Sequence, residues 1–249
     1  DGVRAAGGVI GQIFNRQGFY TFVRDDYESL IRGGHNFSQV RASPEEIRSQ
    51  VEWIDVLVAI DQNTVDKHES RLPEDGKIIF DSDELDIDSE KACPMPMTTM
   101  VEDVEGIEIM RNSVAIGAIA YLYGLDLGIV KDILEKTYGE KAEKNITLAE
   151  RGYEHAKENF EKIKDMESAE REEAPLLTGN EAISIGAAGA GLDMYVAYPM
   201  TPSTSILHFM ANHEDDLGVS VVQPENEIGV INMGLGSAYS GARTMVASS

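Results

Sequence analysis

Apolar positions along this chain follow two rhythms. Short unbroken apolar runs of four to seven residues alternate with longer stretches in which apolar residues return every three or four positions. The first pattern suits strands buried on both faces, and the second suits helices that lay one face on a sheet. In the first half, Gly2-Val3-Arg4-Ala5-Ala6-Gly7-Gly8-Val9-Ile10 leads into an amphipathic helix through Phe14, and Phe19 to Val23 reads as a strand. Phe37 to Arg41 reads as an extended segment, and Asp55 to Asp61 and Gly76 to Asp81 read as buried parallel-type strands. Arg111 to Ala118 is a helix with a small-residue face. Ala142 to Met166 predicts a long charged helix, with Ile146, Leu148, Ala149, Tyr153, Ala156, Phe160 and Ile163 on one apolar face. Glu167 to Pro175 is charge-rich and closed by a proline, so it reads as a linker.

After the linker the alternation becomes regular. Small residues from Ala182 to Gly191 predict a helix able to lie close to a neighbour, and Met194 to Tyr198 a short strand. Pro199 and Pro202 lack backbone donors and push the residues before them toward extended geometry, so the strand stops there and Thr201 is held in a stiff setting. Pro202-Ser203-Thr204 starts a helix with Ile206, Leu207 and Met210 as its stripe. Gly218 to Val222 is the next strand and Glu225 to Tyr239 the next helix, with Ile228, Ile231, Met233, Leu235 and Ala238 as apolar positions. Strand-helix-strand-helix order implies parallel pairing in a doubly wound α/β sheet, whose ligands bind beyond the carboxyl ends of the strands. Thr201 and Glu227 both fall at such ends.

Composition narrows the class. The 249 residues are 42% hydrophobic and can fill two ordinary domains, and no apolar run is long enough to cross a bilayer. Acidic residues outnumber basic ones 44 to 21, a net charge of -23, which argues against nucleic acid as a partner. An anionic ligand would need local positives or backbone amides, for which Arg32, Arg41 and Arg111 are candidates. The five histidines show no metal-ligand spacing. Cys93 is the single cysteine, so a disulfide framework is excluded, a reducing cytoplasm is the simplest home, and an iron–sulfur cluster cannot be ligated by these residues alone.

Taken singly, the motifs are ordinary. A Pro-x-Thr-Pro turn is usually structural, Glu225 and Glu227 suit the positive end of a helix, and Gly229, Gly234, Gly236 and Gly241 can serve close packing. Their order says more. Thr178-Gly179-Asn180-Glu181-Ala182, Tyr198-Pro199-Met200-Thr201-Pro202-Ser203, Gln223-Pro224-Glu225-Asn226-Glu227-Ile228 and the closing Thr244-Met245-Val246-Ala247-Ser248-Ser249 together resemble the thiamine-diphosphate half-site of the 2-oxoacid:ferredoxin oxidoreductases. Met200 stands where that family has isoleucine, a tolerable apolar swap. The first half, with its glycine-rich opening and Tyr27-Glu28-Ser29-Leu30-Ile31-Arg32-Gly33-Gly34 before Val40-Arg41, is similar to the gamma domain of the same family.

The resemblance implies a gamma domain over 1-166, a linker over 167-175 and the start of an alpha, pyrimidine-binding domain over 176-249, incomplete at its C-terminal end. It also implies that the family would place a strand ahead of Asp1. Thiamine diphosphate would be shared with a beta subunit that carries magnesium and a 4Fe-4S cluster, with coenzyme A as co-substrate and ferredoxin as acceptor. Tyr198, Pro199, Met200, Thr201, Pro202 and Ser203 would shape the cofactor turn. Glu227 would be a buried carboxylate on the cofactor's pyrimidine, Thr201 would meet the 2-oxoacid, and Arg32, Gly33 and Gly34 would form a possible ligand loop in the gamma domain. Two other readings stay open at this point: a coenzyme A- or nucleotide-binding subunit without thiamine chemistry, and a scaffold subunit that has lost catalysis.

Overall fold

The computed structural model describes residues 2–28, 34–166, 169, 171 and 174–248. The chain divides into two units, Asp1–Leu176 and Leu177–Ser249.

In the first unit, helix α1 (Gly2–Arg16) buries Val9, Ile13 and Phe14, the face its sequence predicts. It lies against an antiparallel hairpin of β1 (Tyr20–Asp26) and β2 (Phe37–Ser43). A second sheet, in the order β3-β4-β5, is parallel: β3 (Val56–Ala59), β4 (Lys77–Asp81) and β5 (Ala92–Met95). Pro94, which cannot donate to a ladder, sits on the edge strand β5, where a missing donor is tolerated. Helix α2 (Gln62–His68) follows β3, and α3 (Met97–Glu102) follows β5. The remaining helices are α4 (Arg111–Leu122), α5 (Leu127–Tyr138) and α6 (Ala142–Asn159).

The long charged helix ends sooner than its pattern predicts. It stops at Asn159, and Phe160 turns extended, φ -127° and ψ 152°. The apolar positions beyond still pack: Phe160 and Ile163 join the core, and the Ile163 and Lys164 amides donate to the Leu122 carbonyl. A core pattern at helical spacing therefore continued past the helix itself. Ala169 and Arg171, in the stretch that reads as a linker, lie on the first unit, with the Ala169 amide on Gln17 O at 3.1 Å and the Arg171 guanidinium 4.7 Å from the centre of the Tyr20 ring.

Two features set this unit's geometry. α4 and α6 cross so closely that a methyl on Gly117 would overlap the Ala149 carbonyl, and one on Gly152 would overlap the Val114 carbonyl. The second is Asp81 at the end of β4. Its carboxylate accepts from the Met97 amide at 3.0 Å, from the Thr98 hydroxyl at 2.7 Å and from Arg111 Nη1 at 3.1 Å. Burial pushes this carboxyl up, but the hydrogen bonds from Thr98, Arg111 and the nearby amides outweigh it and hold the group below its ordinary value.

The second unit is a three-stranded parallel sheet in the order β7-β6-β8. Helix α7 (Gly179–Gly189) precedes β6 (Met194–Ala197). Helices α8 (Thr204–Asn212) and α9 (Glu214–Leu217) lead to β7 (Ser220–Val222), and α10 (Glu227–Tyr239) leads to β8 (Thr244–Ala247). Ile206, Leu207 and Met210 are buried against Tyr195 and Ala197, as the stripe predicts. On α10 the packed positions are Val230 and Gly234, the latter against Val246 of β8, whereas Ile228 is 74% exposed and Leu235 66%. A three-stranded sheet covers one side of this helix, and no described residue of the unit covers the other.

The glycine crossing yields a direct prediction. Gly152→Val should destabilise the first unit by about 3 kcal/mol, because the branched side chain meets backbone that cannot step aside. Gly8→Ala, on α1 where an added methyl meets nothing, should instead stabilise by roughly 0.5 kcal/mol. Urea midpoints of the two variants check both, and equal shifts would mean that the close crossing does not exist in solution.

Candidate functional site

Parallel pairing brings three strand ends of the second unit to one edge. β6 pairs with β7 from Met194↔Ser220 to Val196↔Val222, and with β8 from Met194↔Thr244 to Ala197↔Ala247. The chain steps from β6 to β7 on one side and then to β8 on the other. The crevice at the carboxyl ends of β6 and β8 is therefore a topological switch point, where sheets of this kind bind ligands. One wall is the turn 198–203. The Tyr198 amide donates to Ala247 O at 3.3 Å and ties this turn to β8.

The turn is built almost entirely from its own backbone. The Met200 amide donates to Tyr198 O at 2.9 Å, the Thr204 amide to Met200 O at 3.0 Å, and the buried Ser203 hydroxyl to Met200 O at 2.8 Å. The Thr201–Pro202 peptide is cis. Asn180 pins the turn from α7: its amide nitrogen donates to Pro202 O at 2.9 Å and to Ser205 Oγ at 2.5 Å. The sequence motif around Asn180 points here, but its role needs the fold. Thr178 and Glu181 on either side form a capping box, the Glu181 carboxylate accepting from the Thr178 amide at 2.7 Å and the Thr178 hydroxyl from the Glu181 amide at 3.2 Å.

Beyond β7, Asn226 rather than either glutamate caps α10, its side-chain oxygen accepting from the Gly229 amide at 2.9 Å. Glu227 is then the first helical residue. Pro224 is buried, while Glu225, Asn226 and Glu227 are exposed. The resemblance implies a buried carboxylate at Glu227; within this unit the residue stands open, because no described residue covers the first turn of α10. Neither the Thr201 hydroxyl nor the Glu227 carboxylate makes a hydrogen bond among the described residues. Both are held on backbone fixed by other side chains, and both stand at the ends of adjacent parallel strands. Of the glycines after Glu227, Gly234 admits Val246 and Gly241 turns the chain at φ +98°, so each has a packing or turning role.

The first unit holds the other candidate residues. Arg32 and Gly33 lie outside the described residues. Gly34 takes φ +84° beside Glu28. Arg41 Nη1 donates to Ser49 O at 2.8 Å. Arg111 is largely buried between Asp81 and Glu108, so it serves the fold and not an exposed anion site. A polar cluster that spacing does not reveal lies nearby: His35 Nε2 and His68 Nε2 are 2.8 Å apart, and Arg71 Nη1 is 3.0 Å from His68 Nδ1. Arg71 can only donate, so His68 Nδ1 accepts and its Nε2–H donates to His35. Burial, and then the neighbouring Arg71 charge, hold His68 below the usual histidine range. Among the described residues no three or more His, Cys, Asp and Glu are placed to hold a metal ion.

Known proteins resemble both parts of the chain. A family model described as pyruvate ferredoxin/flavodoxin oxidoreductase matches residues 1–155. A second, described as the thiamine-diphosphate-binding part of pyruvate flavodoxin/ferredoxin oxidoreductase, matches residues 185–249. Among curated relatives, a Sulfolobus protein named 2-oxoacid:ferredoxin oxidoreductase subunit alpha is 23% identical across 100% of this chain and 48% of its own length. The ketoisovalerate oxidoreductase subunit VorB of Methanothermobacter thermautotrophicus is 45% identical over 74 residues, 30% of this chain and 21% of that protein. Among solved structures, 2-oxoglutarate:ferredoxin oxidoreductase from Magnetococcus marinus, with 2-oxoglutarate, coenzyme A and succinyl-CoA bound, matches with a TM-score of 0.86 at 25% identity, over 98% of this chain and 45% of that one. The chain belongs to the pyruvate ferredoxin/flavodoxin oxidoreductase family. It spans about half the length of the relatives that it matches end to end.

Asn180 supplies the test of this geometry. Asn180→Ala removes both bonds that hold the turn, so the second unit should lose about 1 kcal/mol, and amides from 200 to 207 should exchange faster while those of β6 stay protected. Unchanged exchange in the turn would show that its backbone holds without Asn180.

Proposed function

We propose that this member of the family is part of the alpha-type subunit of a thiamine-diphosphate-dependent 2-oxoacid:ferredoxin oxidoreductase. The reaction is the oxidative decarboxylation of a 2-oxoacid with coenzyme A, giving acyl-CoA and CO2 and passing electrons to ferredoxin. Residues 1-166 act as the gamma-type domain, 167-175 as the linker and 176-249 as the start of the pyrimidine-binding domain. The observation that carries this reading is the pair Thr201 and Glu227, two polar groups without hydrogen-bond partners among the described residues, at the carboxyl ends of adjacent parallel strands, within a segment that matches a thiamine-diphosphate-binding family model.

The donor set fits the cofactor. An aminopyrimidine needs a carboxylate beside its ring nitrogen, and a rigid wall to hold the ring. Glu227 offers the first and the Tyr198–Ser203 turn the second. Thiamine diphosphate, when bound, supplies the carbon nucleophile that takes up the 2-oxoacid and holds the electrons left when CO2 departs. The chain's own part is narrower. Glu227 would hydrogen-bond the ring nitrogen and so favour proton uptake by the cofactor's amino group. Thr201 donates a hydrogen bond to the substrate as charge grows on its oxygen. The exposed Met200 and Ile228 beside these groups support a covering partner, the beta subunit, which brings magnesium and a 4Fe-4S cluster. Cys93, buried with its thiol pushed up by burial, is unsuited to ligate such a cluster. The complex works in a reducing cytoplasm.

The complete complex provides the test. Glu227→Gln should lower turnover by about a hundredfold or more, while Glu225→Gln should be mild. Equal effects, or a larger one at Glu225, would place the pyrimidine carboxylate at the wrong residue. Thr201→Val keeps the shape and removes the donor, so cofactor affinity should hold while kcat/KM falls by tens to hundreds of fold, equivalent to about 2 to 4 kcal/mol. Normal turnover in the valine variant would leave Thr201 a turn residue.

A further inference from the structure

The histidine cluster of the first unit joins separate parts of the chain. His35 stands just ahead of β2, His68 is the last residue of α2, and Arg71 follows in the next turn. Arg71 is the hub: Nη1 donates to His68 Nδ1 at 3.0 Å, Nη2 to Gln39 Oε1 of β2 at 3.0 Å, and Nε to Glu52 O at 2.5 Å. A guanidinium has no proton to lose, so His68 Nδ1 stays bare and the single proton of this ring sits on Nε2. That proton points at His35 Nε2, 2.8 Å away, which must be bare in turn. His35 then carries its proton on Nδ1, 3.2 Å from the Asn63 side-chain amide of α2, whose oxygen takes it after a half turn of that amide. The rings are packed as well as bonded. His68 is buried, and the ring centres of His35, Phe37 and His68 lie 4.8 to 5.8 Å apart.

We infer that this relay is a proton-sensitive clasp between the hairpin of β1 and β2 and the helix α2, closed while both imidazoles are neutral and opened when either takes up a proton. Every link runs one way. A proton added at His68 Nδ1 sets donor against donor and charge against Arg71, and one added at His35 Nε2 does the same against the His68 N–H. The surrounding groups favour the neutral pair. Burial, then the charges of Arg71, His35 and Lys67, hold His68 below its ordinary value, while Asp26 of β1 pulls the other way. The remaining acidic groups nearby have other partners: Asp61 accepts from the Thr64 amide and hydroxyl, Asp66 from Gln62, Glu69 from Ser89 and Glu28 from the His35 amide. Arg41 and Asp55 line the same space as the rings. A metal site does not fit, since a ligating imidazole passes its second N–H to an acceptor, whereas the second nitrogen of His68 faces a guanidinium. A histidine held below its ordinary value of 6.5 contributes stability that is complete above that value and is lost as pH falls beneath it. The clasp is therefore closed at neutral pH and loosens on mild acidification.

Hydrogen exchange in the protein tests the clasp, read as protection factors so that the intrinsic pH dependence of exchange drops out. The open form takes up to two protons that the closed form refuses, and each multiplies opening by up to about tenfold per pH unit below the histidine value. Amides 66 to 69, in the last turn of α2 and its cap, should lose protection by tens of fold between about pH 7 and about pH 5.5, while those of β4 stay protected. The double variant His35→Gln, His68→Gln keeps a donor and an acceptor at each place and removes the titration, so its protection should be flat over that range. Imidazole nitrogen resonances of the unaltered protein give a second readout: at neutral pH His68 should carry its proton on Nε2 and His35 on Nδ1. Constant protection at 66 to 69, an equal loss in β4, a pH response that survives in the double variant, or a His68 proton on Nδ1 at neutral pH would each overturn the inference.

Discussion

Parallel pairing of β6 with both β7 and β8 is the constraint on which the candidate site depends. Three strands that run the same way deliver their loops to one edge, and helices must return the chain to the other edge each time. The second unit uses the shortest elements that meet this rule: strands of three and four residues, with Tyr195, Val196 and Ala197 fully buried between layers. Because β6 is central, the turn after it faces loops on both sides. That is where a chain can place a rigid wall and a polar group within reach of one ligand.

The charge balance of the chain bears on the same edge. A net charge of -23 opposes any anionic cofactor or substrate, and the two candidate arginines among the described residues are already engaged. Arg111 is held by Asp81 and Glu108, and Arg41 by Ser49 O. Parallel α/β architecture brings the starts of α8 and α10 to the carboxyl edge, where the Thr204 amide is taken by Met200 O and the Gly229 amide by Asn226, so what each start can offer an anion is its helix dipole. Fixed dipoles act at short range, where a distant surface charge is screened by salt.

Much of this architecture is legible in the residues because local and tertiary signals agree. Pro199 and Pro202 stop β6, Gly234 and Gly241 mark close packing and a turn, and Val56 to Ala59 can hardly be anything but a buried strand. Legibility fails where tertiary contacts overrule the pattern. Phe160 and Ile163 keep helical spacing after the helix has ended, because the core selects apolar residues whatever backbone carries them. β5 hides behind Pro94, which reads as a breaker unless the strand is known to be an edge. The His35–His68–Arg71 cluster joins positions 33 residues apart, a pairing that no local spacing encodes. Helix α5 is not among the elements expected from the pattern, although its signals are local: Asp126 caps it and Val130, Ile133 and Leu134 form its stripe.

The candidate site itself rests on a division of labour among neighbouring side chains. Capping α10 falls to Asn226, so the carboxylate of Glu227 is not drawn onto the helix's own amides. Closing the turn falls to the Ser203 hydroxyl and the Asn180 amide, so the Thr201 hydroxyl is not drawn onto a carbonyl. Had Glu227 been the cap, or Thr201 the residue that satisfies Met200 O, each would already have a hydrogen-bond partner and would bind a ligand only by giving it up, a loss of about 1 kcal/mol or more each. Local structure closed by adjacent residues leaves these two groups positioned but unbonded, which is the condition a preorganised site must meet.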